Sequence, residues 1–196
     1  FFLLVSILSY SPDDPNFIEP LSDSIRPHLS DDTHLLFSYH GLPVSHVKRT
    51  DSTGMHCQKV DECCSQDVEA NSRCYAHQCM MTTFSVVETL GLEREGWSVS
   101  YQSRLGPAKW LEPSTIKTVE KLANEGKKNL VIVSPAFVAD GLETLEELDM
   151  EIRDHFINNG GENLLVVKCL NDDEKWVSGL GEIVSGSFRA VIPEES

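Results

Sequence analysis

The fold is decided by residues 129–171, NLVIVSPAFVADGLETLEELDMEIRDHFINNGGENLLVVKCLN. The stretch opens and closes on apolar runs, NLVIVSPAF (129–137) and NLLVVKCLN (163–171). Such unbroken runs suit strands covered on both faces by helices. Between them, ETLEELDMEIRDHFINNGG repeats its apolar residues at helical spacing and is ended by Gly160-Gly161. Strand, helix and strand in this order predict two parallel neighbours joined by a crossover helix.

The pattern continues outward. HLLFSYH (34–40) reads as a strand ended by Gly41 and Pro43, and WSVSYQS (97–103) as another. Helices are expected at NFIEPLSDSIRPHL behind Asp14-Pro15, at TTFSVVETLGL ending on Gly91, at TIKTVEKLANEG behind Ser114, and at EKWVSGLGEIV. FFLLVSILSY at the start is too short to cross a bilayer and reads as a buried strand. The expected class is α/β: a parallel sheet flanked by helices, Rossmann-like or flavodoxin-like, in one domain over 1–196 with a cysteine-rich insertion at 52–80.

The chain is 40% hydrophobic, enough for a sizeable core, and carries a net charge of -15. That charge repels a phosphate backbone, so nucleic acid is not an expected partner. It suits solubility or the handling of cations.

In parallel α/β sheets, ligands sit beyond the carboxyl ends of the strands. Three places qualify: His40, the run from Ser103-Arg104 to Trp110, and the run from Asp140 to Glu143. On an ideal helical wheel Asp140, Glu143, Glu147 and Glu151 fall within about 80° of one another, apart from a stripe of Leu142, Leu145, Leu148, Ile152 and Phe156. A solvated face explains acids of this kind, but none of the four has a Lys or Arg four residues on to relieve their repulsion. A column that binds cations would relieve it. Asp149 falls on the apolar side of the wheel, unless an extra-residue π turn shifts the phase.

Cys57, Cys63, Cys64, Cys74 and Cys79 crowd one polar segment, while Cys169 stands alone in an apolar run and reads as a small buried hydrophobe. The clustering fits a reduced, cytoplasmic setting with one local metal site better than a disulfide scaffold. Zinc is an alternative, though paired C-x2-C knuckles are missing. Four thiolates could also hold an iron-sulfur cluster, with His56 and His77 as weaker substitutes.

FSYHGLP (37–43), QSRLGPAKWLEP (102–113) and SPAFVADGLETLEELDMEI (134–152) resemble, in order and spacing, three motifs of the ferrochelatases, which insert ferrous iron into a porphyrin to make haem. Members of that family consist of two similar α/β halves around a porphyrin cleft, and this chain resembles the second half. The resemblance implies catalytic roles for His40 and Glu143, and metal contacts at His40, Glu143, Asp140 and Glu147. It implies porphyrin contacts at Pro43, Ser103, Arg104 and Trp110. Where some members carry a histidine two residues before the glutamate, this chain has Gly141. Some members contain a 2Fe-2S cluster and some bacterial members a cysteine-rich insertion in this part of the chain, which here implies a cluster on four of Cys57, Cys63, Cys64, Cys74 and Cys79, with Cys63 the expected spare. The implied partners are a porphyrin, ferrous iron and the missing amino-terminal half, with peripheral membrane contact and a homodimer left open. An isolated second half is expected to be inactive. The competing reading is an iron-sulfur electron-transfer module on a flavodoxin-like fold.

Overall fold

A computed structural model describes residues 11–191. Strands β1 (Thr33–His40), β2 (Trp97–Gln102), β3 (Asn129–Val133) and β4 (Asn163–Val166) form one sheet in the order β2-β1-β3-β4. All three neighbouring pairs are parallel. This is the flavodoxin-like order, with the connections departing in opposite directions from β1 and β3. The predicted strand at FFLLVSILSY lies outside the described residues.

Among the described residues, six α-helices flank the sheet: α1 (Pro15–Ile25), α2 (Val44–Lys48), α3 (Tyr75–Leu90), α4 (Thr115–Asn124), α5 (Arg153–Asn158) and α6 (Glu174–Val191). Alternation along the strands divides the core in two. Leu35, Phe37 and Tyr39 of β1 join Val131 and Val133 of β3 in a layer with Phe17, Leu21, Val86 and Trp176. Leu36, Leu130 and Ile132 face the other way, onto Val119, Leu122, Leu148, Ile152 and Phe156. No helix among the described residues is long and apolar enough to cross a membrane.

The decisive local departure is Glu143–Ile152, a π-helix that runs directly into α5. In an α-helix every step of four residues overshoots a full turn by about 40°. The wider i→i+5 turn cancels much of that drift. As a result Thr144, Leu148, Ile152 and Phe156 are all buried at a spacing of four, and Glu143, Glu147 and Glu151 stay aligned on another side. The predicted apolar stripe is therefore corrected at its start: Leu142 and Leu145 are 73% and 56% exposed. Asp149, misplaced by the α-helical wheel, points outward and pairs with Arg153, whose guanidinium also reaches the Leu164 carbonyl of β4.

Two further boundaries differ from expectation. The apolar run at 129–137 is strand only to Val133. Helix α3 begins at Tyr75, so Cys74 is its N-cap and Cys79 lies within it rather than in a loop.

Candidate functional site

The β1/β3 switch point carries a concavity of about 570 Å³, lined by His40, Ser103, Arg104, Leu105, Trp110 and the carboxylates Glu143, Glu146, Glu147 and Glu151, with Leu142 at its rim. Larger concavities, about 710 and 790 Å³, lie at the amino ends of β1, β3 and β4 and along the open edge of β2. Neither combines titratable groups with strand carboxyl ends, so the smaller one is the candidate site.

His40 is the last residue of β1. Its carbonyl accepts a hydrogen bond from the Tyr75 hydroxyl at 2.9 Å, and its ring meets Phe137 edge-on with centroids 6.0 Å apart. The chain then turns at Gly41, whose N–H donates to the Gln102 carbonyl at 2.8 Å. A Cβ at Gly41 would stand 2.7 Å from that same oxygen, so only glycine permits the approach. Residues 42–44 pair with the loop after β2: Val44 N–H donates to Lys109 at 2.8 Å and Leu111 N–H to Leu42 at 3.0 Å. Pro43 faces Trp110 across this ladder without lining the cavity. Trp110 in turn donates its indole N–H to the Leu105 carbonyl at 3.0 Å, fixing the ring at the cavity rim.

Ser103 holds the left-handed region with φ 62°, an uncommon conformation for a residue with a side chain. There it donates both its N–H, at 2.8 Å, and its hydroxyl, at 2.7 Å, to the two oxygens of Glu147. Gln102, buried beside it, accepts from Ser38 at 2.8 Å and donates to the Glu143 carbonyl at 3.1 Å. β2 therefore grips the π-helix at two successive residues. Glu143 folds its carboxylate back toward Gly141, reaching within 3.2 Å of where a side chain there would begin.

The structure brings together His40, Glu143, Glu147, Glu151, Ser103, Arg104 and Trp110, and adds Glu146. It does not bring Asp140 to them, so the expected column loses its first member. Asp140 instead accepts from Asn171 Nδ2 at 2.8 Å, from Cys169 N–H at 3.2 Å and from the Thr144 hydroxyl at 3.1 Å. Burial alone would raise its carboxyl, but these bonds together hold it below the ordinary range. Cys169 is correspondingly no plain hydrophobe: it is half-buried, and burial and the Asp140 carboxylate push its thiol up to about 12. Gln102, Glu146 and Asn171 were missed from sequence. Only Gln102 left a trace there, as an amide at the end of a strand that is otherwise expected to bury small or apolar groups.

Cys63 and Cys64 lie 3.7 Å apart at sulfur, and the neighbouring Cys64 thiol, with the N–H groups of His77 and Ala76, holds the Cys74 thiol down. Burial, followed by charge on Cys74 and Cys63, raises the nearby Cys57. Asp51 shapes this loop by accepting the N–H groups of His56 and Cys57 at 2.9 and 2.8 Å. Cys79 is turned instead toward Tyr75 in the core, and burial pushes its thiol well up. Among the described residues, no group of three or more His, Cys, Asp or Glu is arranged to hold a metal ion as it stands.

A flavodoxin-like sheet with an imidazole at the end of one central strand and an aligned row of carboxylates after the next defines a class of α/β protein that gathers titratable groups at the carboxyl ends of its strands. A ferrochelatase family model matches residues 3–187, and the chain belongs to the ferrochelatase family. It is 44% identical to the ferrochelatase of Stutzerimonas stutzeri strain A1501 over 96% of this chain and 56% of that protein. It is also 44% identical to that of Pseudomonas fluorescens strain Pf0-1, over 91% of this chain and 53% of that protein. A third ferrochelatase, from Pseudomonas aeruginosa strain UCBPP-PA14, is 43% identical over 92% and 54% respectively. The chain spans about half the length of the curated relatives it matches.

Proposed function

We propose that this chain forms the carboxyl-terminal half of a bacterial enzyme that inserts ferrous iron into a porphyrin, with the other wall of the cleft supplied by an amino-terminal half. The observation that carries the reading is the convergence of His40 with Glu143, Glu147 and Glu151 in one cavity at the β1/β3 switch point. Metallation must strip water from the ion, take two protons from pyrrole nitrogens and hold the ring where its lone pairs meet the metal. Imidazole, with an ordinary pKa near about 6.5, is suited to accept those protons at neutral pH. Carboxylates bind ferrous iron and release it, whereas thiolates would retain it.

His40 and Glu143 are the residues assigned to the reacting centre. Glu147, held by Ser103, and Glu151 continue from Glu143 as a path along which iron enters or protons leave. Arg104 and Trp110 line the face offered to the macrocycle, Trp110 as a rigid wall, and Pro43 supports Trp110 from behind. The reaction takes place in the bacterial cytoplasm. The porphyrin and the ion are the substrates.

The cysteines carry a second, separate proposal. Cys57, Cys63, Cys64 and Cys74 have the donor chemistry of a 2Fe-2S cluster, and their mutual approach favours this set over one that includes Cys79. Such a cluster would supply one-electron redox chemistry beside the site, and no step of metallation requires it.

The reading is tested by grafting residues 11–191 onto the amino-terminal half of the Stutzerimonas stutzeri relative and following porphyrin metallation by absorbance. Iron-dependent turnover is expected from the graft and not from this chain alone. A folded graft without turnover overturns the reading.

A further inference from the structure

The β3 and β4 ends are tied together by side chains that no metallation role uses. Asn171 adopts φ 49°, and its N–H donates to the Val138 carbonyl at 2.8 Å. Its carboxamide then meets Asp140 twice: Asn171 Oδ1 accepts from the Asp140 N–H at 2.9 Å, and Asn171 Nδ2 donates to Asp140 Oδ2 at 2.8 Å. The same Nδ2 donates to the Cys169 carbonyl at 2.9 Å. The other Asp140 oxygen takes the Cys169 N–H at 3.2 Å and the Thr144 hydroxyl at 3.1 Å, while Thr144 accepts the Gly141 N–H at 3.0 Å. Asp140, Gly141 and Thr144 thus form the entry to the π-helix, and Asn171 locks that entry to the end of the neighbouring strand.

We infer that Asp140 and Asn171 are positioning residues, a carboxylate-carboxamide clasp that fixes the first turn of the π-helix and so aims Glu143 at His40. The alternative for Asp140 is a direct contact with iron at the head of the acid column. The geometry opposes it: Asp140 does not line the cavity, and both its oxygens are already occupied by donors from β4's end and the helix's first turn. What the clasp controls is direction. Glu143 is three residues beyond Asp140, Gly141 offers no side chain to brace the turn, and the Glu143 carboxylate lies over it. Loosening the entry lets Glu143 swing, and misplacement by about 1 Å can cost as much as about 100-fold in rate. Left-handed φ at Asn171 suits the role, because asparagine tolerates that region better than other residues with side chains.

The proposal rests on the metallation reading, and a residue swap tests the two separately. Asp140→Asn sets donor against donor, and Asn171→Asp sets carboxylate against carboxylate. Together, Asp140→Asn with Asn171→Asp restores one donor facing one acceptor and keeps every bond except that to the Cys169 carbonyl. In the graft described above, each single variant is expected to lose about tenfold or more in metallation rate, with the double variant returning to within about threefold of the parent. Amide exchange of residues 138–145 in this chain is expected to quicken in both single variants and slow again in the double. Restored exchange protection without restored rate would make the Asp140 carboxylate itself a contact for iron and overturn the proposal. Unchanged protection in the single variants would overturn it too, by showing that the clasp does not hold the turn. An inactive parent graft would count against the metallation reading alone, since exchange reads the clasp by itself.

Discussion

Ser103 grips both oxygens of Glu147, one through its backbone N–H at 2.8 Å and one through its hydroxyl at 2.7 Å. The grip requires a left-handed serine, φ 62°, at the end of β2. Hydrogen bonds to charged groups are worth about 1.5–3 kcal/mol, so the hydroxyl fixes the acid midway along the aligned row. Ser103→Gly removes that hydroxyl and also relieves the backbone. Titration with a divalent cation is expected to show binding weakened about tenfold while thermal stability is unchanged or raised. Loss of stability with unaltered binding would contradict this assignment.

The pair at the centre of the site gives the sharpest expectation. In the graft carrying the amino-terminal half, Glu143→Gln and His40→Ala should each lower metallation by at least about 100-fold, the scale of positioned proton transfer. Far-UV circular dichroism should stay that of the parent. Near-full activity in either variant would remove that residue from the reacting centre.

Gly41 is a packing constraint with a catalytic consequence. A methyl there would meet the Gln102 carbonyl at 2.7 Å and Trp110 at 3.4 Å, and the first of these is backbone that cannot yield. Gly41→Ala is expected to cost about 1–3 kcal/mol of stability, read by urea unfolding, and to displace His40 with the turn. An unchanged midpoint would show that β1 and β2 can separate there without strain.

His34 sets a pH dependence remote from the site. Burial first, and then the charge of Lys127, lowers its pKa from 6.5 to about 4, while its Nε2 stays within 2.9 Å of the Ser98 hydroxyl. The unfolded chain takes up this proton near pH 6.5 and the folded chain resists it to about pH 4. Folding therefore loses stability as pH falls through that window and keeps it above. Melting temperatures across the window should fall less steeply in His34→Gln than in the parent; parallel slopes would exclude His34 as the cause.

The cysteine proposal separates two thiols that the sequence treats alike. Protein purified without oxygen should show visible iron-sulfur absorption that disappears in Cys74→Ser and persists in Cys79→Ser, because Cys79 faces Tyr75 and the core. Loss of colour in both variants would return Cys79 to the ligand set, and a colourless protein with stoichiometric zinc would select the zinc reading instead.

Much of this molecule was legible in its sequence. Apolar runs of strand length separated by capped helical patterns determine a parallel α/β sheet, because only helices on both faces can bury such runs. The same reading places His40, Ser103 and Glu143 at strand ends. What sequence could not supply is phase and partnership. Glu143–Ile152 takes the π form, which keeps Glu143, Glu147 and Glu151 in line and sends Leu142 and Leu145 to solvent, a change that only Asp149, out of place on the α-helical wheel, signals in the sequence. The direction of Asp140 depends on Asn171, and the separation of Cys79 from Cys63 and Cys64 depends on where α3 begins. Both are settled by contacts between segments far apart in the chain. Local spacing fixes which residues can share a face, and only the closing of the sheet decides which donors are waiting there.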